Sequence, residues 1–158
     1  MNNVIPYLVS FGATFLAAFA GSAASIQAGG FYQSLSKPTW APPGFVFGPV
    51  WTGLYLLMAI AGGAAFHSAG WGKSAVPATV FGVQLALNAL WSWTFFRFRS
   101  GGWAFVDIVL LLVAIVVNIV VFWRIRPLFG LLLTPYLAWV LFAAALNLAV
   151  WQMNPGKL

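Results

Sequence analysis

Residues 108–117 read Ile-Val-Leu-Leu-Leu-Val-Ala-Ile-Val-Val, and this run decides the class of fold. It is apolar on every side, so it offers no face to water. A helix needs about 20 apolar residues to cross a bilayer, and five blocks of that kind fill the chain of 158 residues. The sequence therefore predicts an all-α integral membrane protein, a bundle of five transmembrane helices. The blocks are Val4–Ile26, Phe45–Phe66, Pro77–Phe96, Trp103–Trp123 and Leu128–Trp151.

The composition excludes several other classes of protein. Charged residues make up 5% of the chain, whereas a soluble domain carries about 25%. The apolar blocks run from end to end, so residues 1–158 form a single domain. An open sheet is excluded because its unpaired peptide groups would lie in hydrocarbon. A transmembrane barrel is excluded because its strands would alternate in polarity, which these blocks do not. The formal charge of +6 does not indicate nucleic-acid binding, because the basic residues lie at helix ends and form no stripe.

The longest and least hydrophobic connection, residues 27–44, is predicted to be an ordered lid over one end of the bundle. We call it the lid segment. Its prolines, at positions 38, 42 and 43, restrict the backbone and bias the preceding residues away from helix. Its aromatic residues, Phe31, Tyr32 and Trp40, give it side chains with which to pack. The other connections are short, which forces neighbouring helices to run antiparallel.

One helical face of the third block is polar and aromatic. Gln84, Asn88 and Trp91 are spaced by four and three residues, so they project from one side of the helix. Amides are costly in hydrocarbon unless they are paired, so this face is predicted to point into the bundle. Two interpretations stay open: the amides hydrogen-bond neighbouring helices, or they contact a ligand.

Two of the chain's nine tryptophans, Trp51 and Trp139, are candidates for the interior of the bundle. Several of the other seven lie at block ends and suit an interfacial belt. Trp51 lies just after the lid segment, and Tyr55 is on the same helical face. Trp139 lies in mid-block, on a stripe with Pro135 and Ala143 whose small or kinked positions leave room beside the indole. The alternative for both tryptophans is plain packing.

The few ionisable groups offer little chemistry. Asp107 is the only acid; an intramembrane carboxylate is a functional candidate, but a structural role near a helix N-terminus, with Arg97 or Arg99 within reach, is favoured. His67 is the only histidine and cysteine is absent, so no metal site is predicted. Neither a catalytic dyad nor a phosphate-binding loop is visible, and no internal repeat supports an inverted-repeat transporter.

Four motifs, in register along nearly the whole chain, resemble the TspO/MBR family of tryptophan-rich sensory proteins, which is related to the mitochondrial translocator protein, or peripheral benzodiazepine receptor. Asp107 stands where many members have an acid. The motifs are Lys-Pro-Thr-Trp-Ala-Pro-Pro at 37–43, Gly-Pro-Val-Trp-Thr-Gly-Leu-Tyr-Leu-Leu-Met at 48–58, Gln-Leu-Ala-Leu-Asn-Ala-Leu-Trp-Ser at 84–92 with Phe95 and Phe96, and Pro-Tyr-Leu-Ala-Trp at 135–139 through Asn147.

The resemblance to bacterial members implies a five-helix bundle, often a homodimer, with a pocket beneath the first loop and no obligatory cofactor. The family's ligands are tetrapyrroles such as protoporphyrin IX and haem, benzodiazepine-site drugs and, in animal members, cholesterol. Leu148 and Gln152 replace the Tyr and Arg of the sterol pattern, so weak sterol binding is expected. The ligand-binding residues carried over by motif are Trp40, Trp51, Tyr55, Gln84, Asn88, Trp91, Trp139, Ala143 and Leu146.

The predicted function is therefore a membrane receptor, sensor or carrier that binds a tetrapyrrole. Propionates of such a ligand could meet Lys37. The alternative is a light-dependent porphyrin-degrading enzyme, in which Trp51 and Trp139 would donate electrons. A secondary transporter and a protein that acts through dimerisation alone are further hypotheses. The chain carries no signal that separates the inner from the outer bacterial membrane.

Overall fold

A computed structural model describes residues 4–26, 29–70 and 72–158. Within that part of the chain, five helical spans are long and apolar enough to cross a membrane, which confirms the predicted fold class. The first two spans contain α1 (Ile5–Ile26) and α3 (Phe47–Ala69), the latter preceded by a 3₁₀ turn at Gly44–Val46. The third is α4 (Ala75–Ser92) with a π-helical turn at Trp93–Arg97, and the fourth is α5 (Gly101–Ile125). The fifth joins α6 (Pro127–Leu131) to α7 (Thr134–Met153).

The fifth block is not the single helix expected over residues 128–151. It is divided at Leu132 and Leu133, and the break follows from Pro135 in the first turn of α7. A proline has no amide hydrogen, and its ring clashes with the carbonyl of the fourth preceding residue. The freed carbonyl of Leu131 accepts instead a hydrogen bond from the Thr134 hydroxyl, at 2.8 Å.

The lid segment contains a short helix, α2 (Gly29–Ser34), that its sequence did not predict. Gln27 and Ala28 lie outside the described residues. The helix is stabilised at its C-terminal end by Lys37, whose Nζ donates hydrogen bonds to the carbonyls of Tyr32 and Leu35 at 2.9 and 3.0 Å. A cation at this end also complements the helix dipole.

The π-helical turn at Trp93–Arg97 changes what the end of the third span presents to its neighbours. The Phe98 amide bonds the carbonyl of Trp93 five residues back, at 2.9 Å. The wider turn places two consecutive side chains, Phe95 and Phe96, beside the same internal space. It then ends with Arg99 in the left-handed region at φ 51°, while the Ser100 amide bonds the Thr94 carbonyl at 3.0 Å, as in a Schellman cap.

Helix α1 changes neighbour along its length. Near its beginning it packs on the second half of α3, where the Ser10 hydroxyl donates to the Ala59 carbonyl at 2.8 Å. Near its end it packs on α4, where the Trp93 indole donates to the Ala20 carbonyl at 3.0 Å. Helices α1 and α3 therefore separate towards the end of the bundle that carries the lid segment, which we call the lid end.

The opposite end of the bundle is filled by a compact aromatic core. Phe81 stacks on Phe122 with ring centroids 6.0 Å apart, and Phe66 meets both rings edge-on at 5.6 and 6.3 Å. These three residues belong to the main buried cluster, which continues along α5 through Ile108, Leu111 and Ile115. The main cavity lies away from this core, at the lid end.

The sequence suggested that an arginine lies within reach of Asp107, but the described part of the structure shows no such pair. It faces the interior of the bundle and is 5% exposed, and neither carboxyl oxygen has a hydrogen-bond partner among the described residues. Arg97 and Arg99 are exposed outside the bundle, and the Arg99 guanidinium lies 4.7 Å from the centre of the Phe31 ring instead.

Candidate functional site

A cavity of about 900 Å³ lies at the lid end, between the walls formed by α1, α3, α4 and α7 and beneath the lid segment. It occupies the space opened by the divergence of α1 from α3. Its wall is rich in aromatic side chains, which come from the first three spans and the lid segment: Phe15, Phe19, Tyr32, Phe47, Trp51, Tyr55, Trp91, Phe95 and Phe96.

Helical spacing explains how each wall is built. On α3, Phe47, Trp51 and Tyr55 recur every fourth residue and so face the same side. On α7, Ala143 and Leu146 lie on the corresponding face and are 8% and 6% exposed. The small side chain of Ala143 leaves space in front of the aromatic wall.

Six of the residues named from the sequence line this cavity. They are Trp51, Tyr55, Asn88, Trp91, Ala143 and Leu146. Three others are absent from its wall: Trp40, Gln84 and Trp139. Helical periodicity or the family motif placed the helical residues of this set in the interior, but depth along the helix and the size of neighbouring side chains decide which of them reach the cavity.

Gln84 lies in the core below the cavity. The residue is fully buried, its Nε2 is 3.8 Å from the sulfur of Met58, and its Oε1 has no hydrogen-bond partner among the described residues. It is one helical turn further from the lid end than Asn88, which does line the cavity. The position of Gln84 therefore suits the packing of α4 on α3 and not direct contact with a ligand.

Trp139 and Trp40 lie behind the cavity wall, in a row of rings that joins α7 to the lid segment. The Trp139 ring packs 5.9 Å from Phe47 and 5.4 Å from Phe142, and Phe142 in turn meets Trp40 at 5.8 Å. Trp40 is half exposed at the outer surface. Trp139 thus supports Phe47, a wall residue, from behind.

The amides on the cavity wall are already engaged between helices. The Tyr55 hydroxyl donates to Asn88 Oδ1 at 2.7 Å, and Asn88 Nδ2 donates to the Tyr136 hydroxyl at 3.0 Å. In the same way, Asn147 accepts a hydrogen bond from the Trp91 indole at 3.0 Å and donates to the Gly101 carbonyl at 3.1 Å. The structure therefore gives Asn88 the interhelical role that was one of the two alternatives for its face, and Asn147 has the same role.

Polar side chains of the lid segment that also line the cavity are Tyr32 and Gln33. The Tyr32 hydroxyl is buried beside the cavity and has no hydrogen-bond partner among the residues that the structure describes. Burial raises the pKa of this hydroxyl above its ordinary value, so it stays a neutral donor at neutral pH. Gln33 is an exposed amide at the cavity rim. Lys37 is not available in the same way, because its Nζ is bound to the carbonyls of the lid segment.

No site residue was named on α1 from the sequence, because its small residues suit a close-packing face, yet this helix contributes to the cavity wall. Gly21 does pack closely, since a Cβ there would lie 3.2 Å from the Ser92 hydroxyl. The adjacent stripe, however, lines the cavity through Phe15, Ala18, Ser22 and Ser25. The two serines, three residues apart in an apolar helix, were the signal that could have revealed this face.

The lid segment is fastened to the C-terminal end of α7 by Asn154. Its Oδ1 accepts a hydrogen bond from the Ser36 amide and its Nδ2 donates to the Ser36 carbonyl, both at 2.8 Å. Lys157 adds a hydrogen bond to the Ser34 carbonyl at 2.9 Å. Between these contacts Leu35 is 4% exposed and packs with Phe95, Leu146 and Val150. We call the contacts of Asn154 and Lys157 with the lid segment the latch.

We expect Asn154→Ala to loosen the lid segment without unfolding the bundle. The substitution removes both part-buried hydrogen bonds to Ser36 and the buried one to the Val150 carbonyl, and each such bond is worth about 0.5–1.5 kcal/mol. Amide hydrogen exchange in residues 29–44 should accelerate by about tenfold, while exchange in α5 stays unchanged. Gln152→Ala, at an exposed position on the same helix, is the control, and equal exchange in the two variants would refute the latch.

Comparison with known proteins identifies relatives of the whole chain. Residues 7–152 match the profile of the TspO/MBR family. The chain is 40% identical over 155 residues to the tryptophan-rich protein TspO of Archaeoglobus fulgidus, covering 96% of this chain and 99% of that protein. It is 41% identical over 128 residues to the human translocator protein, covering 80% and 76% of the two chains. It is also 31% identical over 144 residues to the tryptophan-rich sensory protein of Cereibacter sphaeroides, covering 89% of each.

Proposed function

The chain belongs to the TspO/MBR family, and from that premise we propose that this multi-pass membrane protein is a receptor, sensor or carrier whose lid-end cavity binds a tetrapyrrole such as protoporphyrin IX or haem. The observation that carries the proposal is the aromatic cavity of about 900 Å³. Ligand pockets have volumes of about 300–1,000 Å³ and are mostly apolar, with a few polar groups that fix orientation. The same features suit hydrophobic benzodiazepine-site ligands.

The arrangement of the wall supports a flat aromatic ligand in particular. Trp51 and Tyr55 lie side by side, with ring centroids 5.5 Å apart, and Trp91 stacks on Phe95 at 5.3 Å. Aromatic faces of this kind favour offset stacking on a planar ring system. The opposing wall of α7 carries the small Ala143, which leaves room for the thickness of a macrocycle.

The distribution of polar groups favours one orientation of the ligand. Asn88 and Asn147 are occupied with other helices, so the deeper part of the cavity is best suited to the apolar edge of the macrocycle. The Tyr32 hydroxyl and the Gln33 amide belong to the lid segment and line the cavity, where they can donate hydrogen bonds to propionate oxygens. In this pose the carboxylates stay near the water–membrane interface, which avoids the cost of burying them in hydrocarbon.

The photochemical alternative is less well supported. It names Trp51 and Trp139 as the electron donors, but only Trp51 is part of the cavity wall. Side chains suited to ordinary acid–base catalysis, carboxylates and histidines, are absent from the described residues of that wall. Binding is therefore the function for which the cavity provides the better set of groups.

Filling the cavity should weaken this binding. We expect Ala143→Phe to raise the dissociation constant for protoporphyrin IX by at least about tenfold, because the added ring occupies the space in front of the aromatic wall. Ala145→Phe is the matched control, since this alanine lies on the exposed side of the same helix. The measurement is a titration followed by porphyrin fluorescence, with the protein in lipid nanodiscs. Equal affinities in the two variants, or no saturable binding by the unmodified protein, would contradict the proposal.

A further inference from the structure

The seam between α1 and α3 is tight at one end and open at the other. At the distal end the helices touch so closely that a Cβ on Gly63 would lie 3.0 Å from the Tyr7 Cα. At the lid end α1 instead follows α4, with the Trp93 indole bound to the Ala20 carbonyl. The two helices are therefore held apart there by contacts that are part of the fold, and the cavity lies in the gap.

The residues on both sides of this gap belong to the cavity wall and are also exposed at the outer surface. On α1, Phe15 and Phe19 are 49% and 73% exposed. On α3, Gly48 and Thr52 are exposed, and a Cβ added to Gly48 would meet nothing within 4 Å. Both helices are membrane spans, so the exposed side of the gap faces the bilayer.

Two other approaches to the cavity are covered by contacts among the described residues. From the aqueous side, the lid segment is held down by Asn154 and Lys157 through three hydrogen bonds of 2.8–2.9 Å. At the lid end of the seam between α3 and α7, the ring of Phe47 packs on Trp139, and Trp40 packs on Phe142. The gap between α1 and α3 has no comparable cover among the described residues.

We propose that this gap is a lateral entrance, through which a hydrophobic ligand passes between the bilayer and the cavity while the lid stays latched. Phe15 and Phe19 form one side of the entrance, and Gly48 and Thr52 form the other. The proposal deepens the proposed function, on which it rests for the identity of the ligand. A ligand with a large apolar surface partitions into the bilayer, so this route spares it transfer through water and does not require the hydrogen bonds of the latch to break.

A test without ligand uses the absence of cysteine from the chain. Ala143→Cys places a single thiol on the far wall of the cavity, where a pyrene maleimide dissolved in phosphatidylcholine liposomes can reach it only through an opening. Adding Gly48→Trp or Thr52→Trp should slow this labelling by about tenfold, because the indole narrows the entrance. Ile60→Trp, at an exposed position two turns from Thr52 on the same helix, should leave the labelling rate unchanged.

Either of two results would overturn the entrance. One is the same labelling rate with and without the tryptophan at position 48 or 52. The other is faster labelling by a charged, water-confined maleimide than by the bilayer-dissolved pyrene maleimide, which would indicate entry through the lid. Two tryptophan variants are used so that a folding defect in one, detected by its elution in size-exclusion chromatography, does not decide the result.

Ligand kinetics provide an independent measurement. With protoporphyrin IX preloaded in the liposomes, the association and dissociation rate constants should both fall by about tenfold in Thr52→Trp, because a gate slows passage in each direction. Rates equal to those of Ile60→Trp would count against the entrance. If the unmodified protein does not bind protoporphyrin IX, the proposed function fails, and the labelling experiment still decides whether the entrance exists.

Discussion

Trp51→Ala should weaken protoporphyrin IX binding by about 30-fold or more, the effect expected when a central aromatic anchor is removed from a binding pocket. Trp51 projects into the cavity from α3 and packs against Tyr55 at 5.5 Å and Tyr136 at 6.3 Å. These neighbours fix the indole in place, so little side-chain entropy is lost when a ligand stacks on it. A porphyrin fluorescence titration in nanodiscs measures the change.

The matched control is Trp103→Ala. Trp103 is 71% exposed on the outer surface of α5 and does not line the main cavity, so its removal should change the dissociation constant less than twofold. Trp139→Ala should give an intermediate effect, since this indole acts through its contact with Phe47. If Trp51→Ala binds as tightly as Trp103→Ala, the ligand does not stack on the α3 wall, and the proposed pose is wrong.

Gly63→Ala should destabilise the bundle by about 1–3 kcal/mol, the usual cost of inserting a methyl group into a packed core. A Cβ at this position would overlap the ring of Tyr7 and lie 3.0 Å from its Cα. The ring could rotate, but the backbone of α1 cannot move away without also disturbing the Ser10 hydrogen bond to Ala59. The midpoint of thermal unfolding in detergent, followed by size-exclusion chromatography, should therefore fall.

Gly53→Ala tests whether the effect comes from helix contact. Gly53 is on the same helix, is exposed, and would meet nothing within 4 Å. Alanine is favoured over glycine in helices by about 1 kcal/mol, so this variant should be as stable as the unmodified protein or slightly more so. A comparable loss of stability in both variants would show that the tight end of the α1–α3 seam does not hold these helices together. The divergence on which the lateral entrance depends would then need another explanation.

The helices were predictable because their signal is local. In a continuous apolar run such as residues 108–117, a membrane helix is the structure that pairs every peptide group. Helix α1, for example, begins and ends within one residue of its predicted bounds. The division of the last span at Pro135 was a local feature that the hydropathy alone did not reveal. The helix at Gly29–Ser34 was missed because part of its stability comes from Lys37 and Lys157, which lie outside it.

The candidate site was predictable only in part. Periodicity identifies which side of a helix points inward, and it correctly grouped Trp51 with Tyr55, and Asn88 with Trp91. It does not report what lies opposite. Gln84 is on the inward face but meets Met58, and Trp139 is on the inward face but meets Phe47 and Phe142. Whether an inward side chain contacts a neighbour or a cavity depends on residues that are distant in sequence.

The amino-acid order by itself determined that this chain crosses the membrane five times with an aromatic interior, because hydrophobic length and helical period are properties of each segment alone. Only the tertiary structure decided where the interior is empty. The cavity exists because α1 packs on α3 at one end and on α4 at the other. At the first end, Gly62 and Gly63 of α3 allow close contact with Ser10 and Tyr7 of α1. At the other end, the Trp93 indole bonds the Ala20 carbonyl. Such contacts join separate helices, and the sequence of neither helix predicts them.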